Sequence, residues 1–350
     1  GITKALEETA RDLGVSIRFR TRARELIMED GRIAGIRAQD QDGNPVEYPG
    51  KAILIADGGF ANNEEMMKKY TRAGSHTLEM AVGQVGKEGD GIRMAWEVGA
   101  AKEGAGLIQL GPPRVVKKKL DKHVTAILRQ PFLWVNANGD RFLDESESSF
   151  PHIGNAMSRQ PGQVLFNLFD HASRKHMEEE GIKAGLGMLS DKGAKIPDVL
   201  AAMQTIIEED EAWVADSVEE LAGKMGVDGR RLRATVDEYN ASCDAGRDGL
   251  FAKDPEYLEP VRTGPFYAVK GHPTHVGTLG GIRINHKTEV IREDSETGLD
   301  LIPGLYAAGT VAGGMYGDTY DASHTIGLTS AFAVISGRIA GMSALEYLGK

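Results

Sequence analysis

Cysteine is almost absent from this sequence: Cys243 is the single one among 350 residues. A disulfide framework and a cysteine-rich metal site are therefore excluded, and the composition is compatible with a reducing, cytoplasmic compartment. His171 and His176 are five residues apart. Because that spacing does not place two ligands on one helix face, no metal site is predicted.

Basic clusters and long apolar runs are also lacking. The net charge is -10, and the densest basic run, at 115–122, is expected to be a solvated loop or strand end, so nucleic acid is not an expected partner. No apolar run approaches the roughly 18 residues of a membrane span, so none is expected. The chain starts without methionine inside a predicted helix (2–13). We therefore expect Gly1 to be a cut, which would hide any signal peptide.

Glycine, in contrast, is abundant, at 44 of 350 residues, and 41% of the residues are hydrophobic. The length predicts about two domains with a substantial core. Residues 16–20 alternate like a strand, and short alternating runs at 25–28, 32–38 and 46–49 predict an antiparallel meander. The continuous apolar run AILIA at 52–56 predicts a strand that is covered on both faces of a parallel sheet.

The pattern changes in the middle of the chain, where predicted helices alternate with Gly- and Pro-rich segments and residues 132–145 predict a hairpin. Short strands return near the end and precede a long predicted helix at 325–348. We therefore predict an α/β fold in which 1–60 and 276–350 form one domain and 61–275 form an inserted α+β cap.

Two apolar strands end in glycine-rich segments, IADGGF at 55–60 and LYAAGTVAGG at 305–314. In doubly wound sheets nucleotides bind beyond the carboxyl ends of strands, and glycine lets a phosphate or flavin approach the backbone. The helix predicted from 325 would add free N–H groups and a positive dipole end. Each segment alone could be a simple tight turn, but together they predict a nucleotide or flavin site.

These segments resemble a known enzyme family. IPGLYAAGTVAGGMYGDTYDASHTIGLTSAFAVISGRIAG (302–341) resembles the C-terminal flavin segment of fumarate reductases and 3-ketosteroid dehydrogenases, and LIADGGFANNEEMMKKY (54–70) resembles the junction between their FAD domain and cap. GDGIRMAWEVGA, WVNANGDRFLDE and GTLGGIRIN occur in the family's order. The sequence thus resembles the FAD-dependent fumarate reductase/succinate dehydrogenase flavoproteins over nearly all its residues.

The resemblance implies a Rossmann-like FAD-binding domain, a mobile cap and hydride transfer between flavin N5 and a C–C or C=C bond that a carbonyl activates. FAD is the implied cofactor and a small unsaturated molecule the implied substrate, while the electron donor stays open. The implied cofactor-binding residues are Arg22 and Ala23 on the adenine side, Ala56, Asp57 and Gly58 near the pyrophosphate and ribose, and Gly280, Gly309, Thr310, Thr325, Ile326, Gly327 and Leu328 at the flavin.

The family's GxGxxG loop has no counterpart here, because no apolar strand leads into the similar-looking GQVGKEG at 83–89. We expect an N-terminally truncated FAD domain that binds FAD weakly by itself. Two hypotheses follow. The chain is part of an FAD-dependent oxidoreductase of the EC 1.3 type, or it is a non-catalytic fragment or accessory protein that lost FAD binding with the loop.

Most groups with which the family holds fumarate are replaced. The resemblance places them on Gly111, Gly277 and Tyr320, so a dicarboxylate would lack cations and fumarate is not the expected substrate. Tyr320 instead matches the tyrosine with which ketosteroid dehydrogenases polarise a ketone. The match ends there, because Asp321 and Ala322 follow where that family has Pro-Gly.

Tyr320, His324 and Arg129 are the catalytic candidates. His324 precedes the predicted flavin helix, and Arg129 matches the family's proton-relay arginine. The simpler alternatives are a packed loop residue for Tyr320, a residue near the helix N-cap for His324 and a surface cation for Arg129. The substrate-binding candidates are His152, His275 and Thr278, with a surface position as the alternative for His275.

Overall fold

The computed structural model describes residues 1–72, 79–80 (backbone alone), 86–115, 121–187, 189–317, 320–321 and 325–349. The helices are α1 (Ile2–Asp12), α2 (Glu64–Tyr70), α3 (Asp90–Glu97), α4 (Lys122–Leu128), α5 (Phe150–Ser158), α6 (His171–Glu179), α7 (Val199–Glu208), α8 (Val218–Met225), α9 (Gly229–Asp244) and α10 (Leu328–Tyr347). The strands are β1 (Arg22–Glu29), β2 (Arg32–Gln39), β3 (Pro45–Pro49), β4 (Ile53–Ile55), β5 (Glu79–Met80), β6 (Lys102–Glu103), β7 (Ile108–Arg114), β8 (Leu133–Val135), β9 (Leu165–Phe169), β10 (Ala212–Ala215), β11 (Phe266–Thr278), β12 (Gly281–Ile282), β13 (Glu289–Ile291) and β14 (Leu301–Ala307).

The predicted meander is confirmed. β1, β2 and β3 form an antiparallel sheet in that order, with Leu26 opposite Ile36 and Ile36 opposite Tyr48. The strand predicted at 16–20 is wrong. No strand is assigned there, and Arg20 has a left-handed φ of 53° that interrupts an extended backbone. Alternation without a neighbouring strand to pair with does not make a strand.

β4 and β14 pair in parallel, as the apolar run at 52–56 predicts, and β13 joins β14 on its other side. Ile55 and Leu305 are buried there in one cluster with Ile92 of α3. Coverage of both faces of β4 is wrong. On the other face α10 covers Tyr306, whose hydroxyl donates to Ser343 O at 3.4 Å, whereas Leu54 stays 42% exposed.

The cap is organised around β11, a strand of 13 residues that sequence analysis missed. Its first half pairs with β9 and β10 and its second half with β7 and β5. Successive side chains of β11 enter opposite faces: Phe266 packs in one apolar cluster and Tyr267 in the other. Near its end, Thr278 contacts the segment after β4, so β11 connects the cap core to the candidate site.

The hairpin predicted at 132–145 is half right. Its turn is present, with Gly139 N donating to Asn136 O at 3.0 Å, but β8 pairs with β9 instead of residues 141–145. Residues 141–145 instead contain a buried ion-pair network, in which the guanidinium of Arg141 lies between Glu145 and Asp248.

The domain division at 60 and 275 stays a prediction. α2 and α3, which it assigns to the cap, bury Met66 and Ile92 in the cluster that contains Ile55 and Leu305.

α10 confirms the predicted C-terminal helix but not the expectation about membrane spans. It is the one described helix that is long and apolar enough to cross a membrane, a test of length and composition that is weak evidence by itself. Arg338 and Glu346 are its charged residues, and Ala, Gly and Ser divide its apolar residues into short groups, which hid this property in the sequence. Val334 and Met342 are 69% and 61% exposed.

Candidate active site

The segments that follow the parallel strands β4 and β14 meet. Gly58 has a φ of 86°, and a Cβ placed on it would lie 3.7 Å from Thr310 Oγ1. Gly309, with a φ of 73°, donates its N–H to Ser336 Oγ of α10 at 3.0 Å. Three predicted cofactor residues thus lie together at the carboxyl ends of these strands and beside α10.

The predicted adenine-side residues connect to the same place. Arg22 forms a bidentate ion pair with Asp90 of α3, with Nε 2.5 Å from Oδ2 and Nη2 2.9 Å from Oδ1, and this hydrogen bonding raises the pKa of Arg22. The next N–H of α3, from Gly91, donates to Asp57 Oδ2 at 2.7 Å. Ala23 packs on the core beside Arg22, and Ala56 is exposed next to Asp57.

Thr278, at the end of β11, contacts the loop after β4. This loop, the end of β11 and the segment before α10 are together called the cleft. The buried hydroxyl of Thr278 accepts the N–H of Phe60 at 2.9 Å, and a Cβ on Gly59 would lie only 2.1 Å from Thr278 Oγ1. A Cβ on Gly280 would lie 2.5 Å from Gly104 O, so the close approach of another strand already requires a glycine there. A substrate contact for Thr278 and a cofactor contact for Gly280 stay predictions.

An aromatic cluster lies beside α10. The rings of Tyr316 and Tyr320 are 5.1 Å apart, Phe332 of α10 stands 6.1 Å from Tyr316, and Leu279 packs among them. Tyr320 is buried, and its hydroxyl donates to Thr325 O at 3.0 Å. Within the described part of the chain, the buried Tyr316 hydroxyl has no hydrogen-bond partner. Burial, with a smaller contribution from Tyr320, raises the pKa of Tyr316 to about 12.

The residues ahead of α10 are open to solvent. Thr325 donates its hydroxyl to Asp321 O at 2.6 Å, Ile326 is 84% exposed, and Gly327 is the N-cap, with a φ of 87° and no side-chain capping bond. Leu328 packs on the aromatic cluster. The first N–H groups of a 20-residue helix therefore lack a side-chain cap.

The cap reaches the same segment through α5. Its N-cap, Ser149, donates its hydroxyl to Asp321 Oδ2 at 2.6 Å. Arg129, at the end of α4, places its guanidinium 4.8 Å from the ring centre of Phe150. Burial and the nearby Arg114 lower the pKa of Arg129 to about 10, so Arg129 remains a cation at neutral pH.

Two of the three histidine candidates lie within the described residues, and their environments differ. His275 is buried on β11 opposite Leu110, so the alternative of a surface position is wrong for it. His152 lies at the surface, with its side chain 74% exposed and Nδ1 3.0 Å from Glu147 Oε2. His324 lies outside the described residues. In the described ranges, no group of three His, Cys, Asp or Glu residues has the geometry of a metal site.

Sequence reasoning missed two residues of this cleft. Tyr316 stands four positions before Tyr320, and a tyrosine pair beside a glycine-rich flavin segment was a visible signal. Lys87, which lies between Gly58 and Gly277, had no such signal because only the fold brings these segments together.

The arrangement fits a flavin dinucleotide. Glycines line the carboxyl ends of two parallel strands, and a helix N-terminus without a side-chain cap faces solvent beside them. The buried hydroxyl of Tyr316 has no hydrogen-bond partner among the described residues. Such features suit a phosphate-containing ligand with a large polar ring.

Residues 1–323 match the family model described as "FAD binding domain". The chain belongs to this FAD-binding family. It is 33% identical over 355 residues to a vinyl phenol reductase of Lactiplantibacillus plantarum, covering 98% of this chain and 70% of the relative. Two solved structures are similar at 26% identity: a flavocytochrome c3 fumarate reductase in an open conformation, with a TM-score of 0.68, and the 3-ketosteroid-delta4-(5alpha)-dehydrogenase of Rhodococcus jostii RHA1 in complex with 4-androstene-3,17-dione, with a TM-score of 0.71.

These similarities confirm the resemblance to fumarate reductase and ketosteroid dehydrogenase flavoproteins, the FAD-binding fold and FAD as the family's cofactor. The two solved structures cover 98% and 97% of this chain, whereas the chain spans 55% and 62% of theirs.

Proposed function

We propose that this chain forms the cap and part of the FAD domain of an oxidoreductase that reduces or forms a C=C bond conjugated to an oxygen-bearing group. FAD, when bound, supplies or accepts the hydride at its N5. The observation that carries the proposal is the buried tyrosine pair beside α10, with the Tyr316 hydroxyl available as a donor. A vinyl phenol and a steroid enone, the molecules named with two similar proteins, are substrates of this chemical type.

Tyr316 and Tyr320 have different proposed roles. The high pKa of Tyr316, about 12, keeps its hydroxyl protonated at neutral pH, so it can donate a hydrogen bond to the oxygen that gains charge during hydride transfer. Tyr320 holds the turn before α10 through Thr325 and contacts the substrate beside Tyr316. His324 remains the proposed proton donor. Arg129, which stays a cation beside the ring of Phe150, places a positive charge on the cap side of the site.

The test compares Tyr316→Phe with Tyr320→Phe in the FAD-loaded protein, with enones, vinyl phenols and fumarate as substrates. Loss of one oriented donor lowers kcat by roughly 10²- to 10³-fold, and we expect this for Tyr316→Phe. Because the Tyr316 hydroxyl has no hydrogen bond in the described structure, its removal should not lower the melting temperature. Tyr320→Phe loses a bond to Thr325 O and should cost about 1 kcal/mol of stability.

Two results would contradict the proposal. An unchanged kcat in Tyr316→Phe would show that the Tyr316 hydroxyl does not act as the donor on which the proposal rests. Turnover of fumarate comparable to the best enone would refute the proposed substrate class.

We propose that the cap extends over 61–275, that His152, His275 and Thr278 face the substrate side, and that the protein works in a cytoplasmic compartment. Cell fractionation with an antibody to the native protein checks the last of these.

A further inference from the structure

A cavity in the cap lies outside the cleft. It has a volume of about 230 Å³, and its lining includes the end of β7, the end of α4, β8, the loop 145–148, α5 and parts of the segment 183–192. None of its lining residues belongs to the loop after β4, the end of β11 or the segment before α10. Because sites for drug-sized ligands have volumes of roughly 300–1,000 Å³, this cavity suits a smaller molecule.

Arg129 lines this cavity and carries a charge that the protein leaves unpaired. The side chain is half-buried, and its guanidinium lies 4.8 Å from the ring centre of Phe150. Among the residues that the structure describes, no carboxylate pairs with this guanidinium, which also makes no hydrogen bond. Burial and the neighbouring Arg114 lower its pKa to about 10, so it is a cation at neutral pH. Because buried charges in proteins are normally paired, the guanidinium suits an anion that binds from the cavity.

The other charged residues of the lining are already engaged. Each contacts a residue of opposite charge, or in one case a histidine, that lies outside the lining: Glu145 with Arg141, Glu147 with His152, Lys183 with Glu259 and Lys192 with Glu256. In the described lining these contacts leave one positive charge, that of Arg129. One positive charge matches a monoanion better than it matches a dianion.

The walls of the cavity are apolar and fixed. Trp134 donates its indole N–H to Gln130 O at 3.0 Å, so the ring offers the cavity apolar contact, as does Leu186. Gln130 also fixes the opposite loop, because its Oε1 accepts the N–H groups of Lys183 at 2.9 Å and Ala184 at 3.1 Å. A preformed cavity of this kind reduces the cost of ordering the protein around a ligand.

The cavity adjoins the contact between the cap and the segment before α10. Ser148 lines it, and the next residue, Ser149, donates its hydroxyl to Asp321 Oδ2 at 2.6 Å. Phe150, whose ring Arg129 contacts, follows in the first turn of α5. A molecule bound at Arg129 would therefore lie beside the residues that join the cap to this segment.

We propose that this cavity binds a small organic monoanion, whose charged group pairs with Arg129 and whose apolar part packs against Trp134 and Leu186. The cap alone binds this ligand, which is not the molecule that the flavin reduces or oxidises. The site is additional to the proposed function and does not require bound FAD. Because a guanidinium matches the two oxygens of a carboxylate, a small carboxylate is the probe of choice.

The test is isothermal titration calorimetry of the full chain with benzoate and benzamide, which have nearly the same shape and differ in charge. We expect benzoate to bind with a Kd below about 1 mM and benzamide to bind at least tenfold more weakly. Arg129→Met should weaken benzoate binding at least tenfold, and Arg129→Lys, which keeps the charge, should weaken it less. Arg159→Met, on an exposed residue at the end of α5, is the matched control and should keep the wild-type affinity.

A second variant tests the cavity and leaves the charge in place. Ala184 lines the cavity, so Ala184→Leu should fill part of it and weaken benzoate binding at least tenfold. Arg129→Met removes an unpaired charge and should not lower the melting temperature. Melting curves of both variants show that a lost affinity does not reflect unfolding.

Four results would overturn the inference. Benzoate does not bind at about 1 mM, benzamide binds as tightly as benzoate, or the benzoate affinity of Arg129→Met equals that of the wild type. The fourth is inorganic phosphate that binds more tightly than benzoate, which would show that the apolar walls contribute nothing.

Tyr316→Phe separates this site from the cleft. Tyr316 belongs to the aromatic cluster beside α10, so benzoate bound at Arg129 should keep its affinity in this variant, with and without FAD. Weaker binding in Tyr316→Phe but not in Arg129→Met would assign benzoate to the cleft and overturn the inference. Because calorimetry needs no turnover, a protein that reduces no enone would refute the proposed function and leave this test valid.

Discussion

Gly59 gives the sharpest test of how the cap strand meets the cofactor loop. A Cβ on Gly59 would lie 2.1 Å from Thr278 Oγ1 and 3.1 Å from Thr278 O. Thr278 is buried, and its Oγ1 accepts the Phe60 N–H, so rotation away from a new methyl group would leave that N–H without its acceptor. Gly59→Ala therefore combines overpacking, about 1–3 kcal/mol, with the loss of a buried hydrogen bond, about 1–3 kcal/mol.

The measurement is urea unfolding of Gly59→Ala, Thr278→Ala and the double variant. Together the two effects predict that Gly59→Ala destabilises the protein by roughly 2–6 kcal/mol. Because Thr278→Ala removes the obstructing atom, the double variant should be more stable than the sum of the single effects by about 1 kcal/mol or more.

Gly223→Ala is the matched control for this experiment. Gly223 lies within α8, and the position that an alanine methyl group would take there has no atom within 4 Å, so the change to alanine should stabilise the helix by about 0.5–1 kcal/mol. Additive effects of Gly59→Ala and Thr278→Ala, or a Gly59→Ala variant as stable as Gly223→Ala, would refute the close contact between loop and strand.

Two further predictions concern buried polar groups. Arg141→Met leaves the buried carboxylates of Glu145 and Asp248 without their shared cation and should cost about 3–5 kcal/mol in urea unfolding, whereas Met in place of the exposed Arg230 should change stability by less than about 0.5 kcal/mol. The pKa of Tyr316, about 12, lies above the ~10 of an unfolded tyrosine. The stability that depends on the protonated hydroxyl is therefore fully present below pH 10 and is lost as pH rises from 10 to 12, where only the unfolded chain ionises. Tyr316→Phe should flatten the fall of the melting temperature in that range, and an equal slope in wild type and variant would contradict the burial of this hydroxyl.

Local patterns predicted the elements whose partners are close in sequence. The meander of β1 to β3 follows from alternation and Asp-Gly turns, and the parallel pair β4 and β14 follows from two continuous apolar runs. β11 escaped prediction because FYAVKGHPTHVGT mixes apolar, polar and glycine residues. Its side chains meet different partners along its length, so no single period of two or 3.6 marks it.

In the candidate site, too, the features that adjoin in sequence could be predicted, and the contacts between distant segments could not. The glycine-rich ends of β4 and β14 were visible because strand and glycine adjoin in sequence, and the structure brings Gly58 and Thr310 together. The bond between Ser149 and Asp321 was not visible, because it joins the start of a cap helix to the segment before α10. A side chain committed to a distant backbone, as Thr278 is to Phe60, likewise has no local signature.

The charge of the cleft shows why comparison by position is incomplete. In the resemblance, a family residue that binds fumarate falls on Gly277, and its replacement by glycine argued against a dicarboxylate substrate. In the folded chain the ammonium of Lys87 lies 3.0 Å from the position that a Cβ on Gly277 would take, on a segment that no motif connects to β11. Electrostatic complementarity depends on which charges share a volume, so a lost cation at one position can be restored from another. The replacement of the family residue by Gly277 therefore does not leave this end of β11 without a positive charge, because Lys87 Nζ lies 3.4 Å from Val276 O.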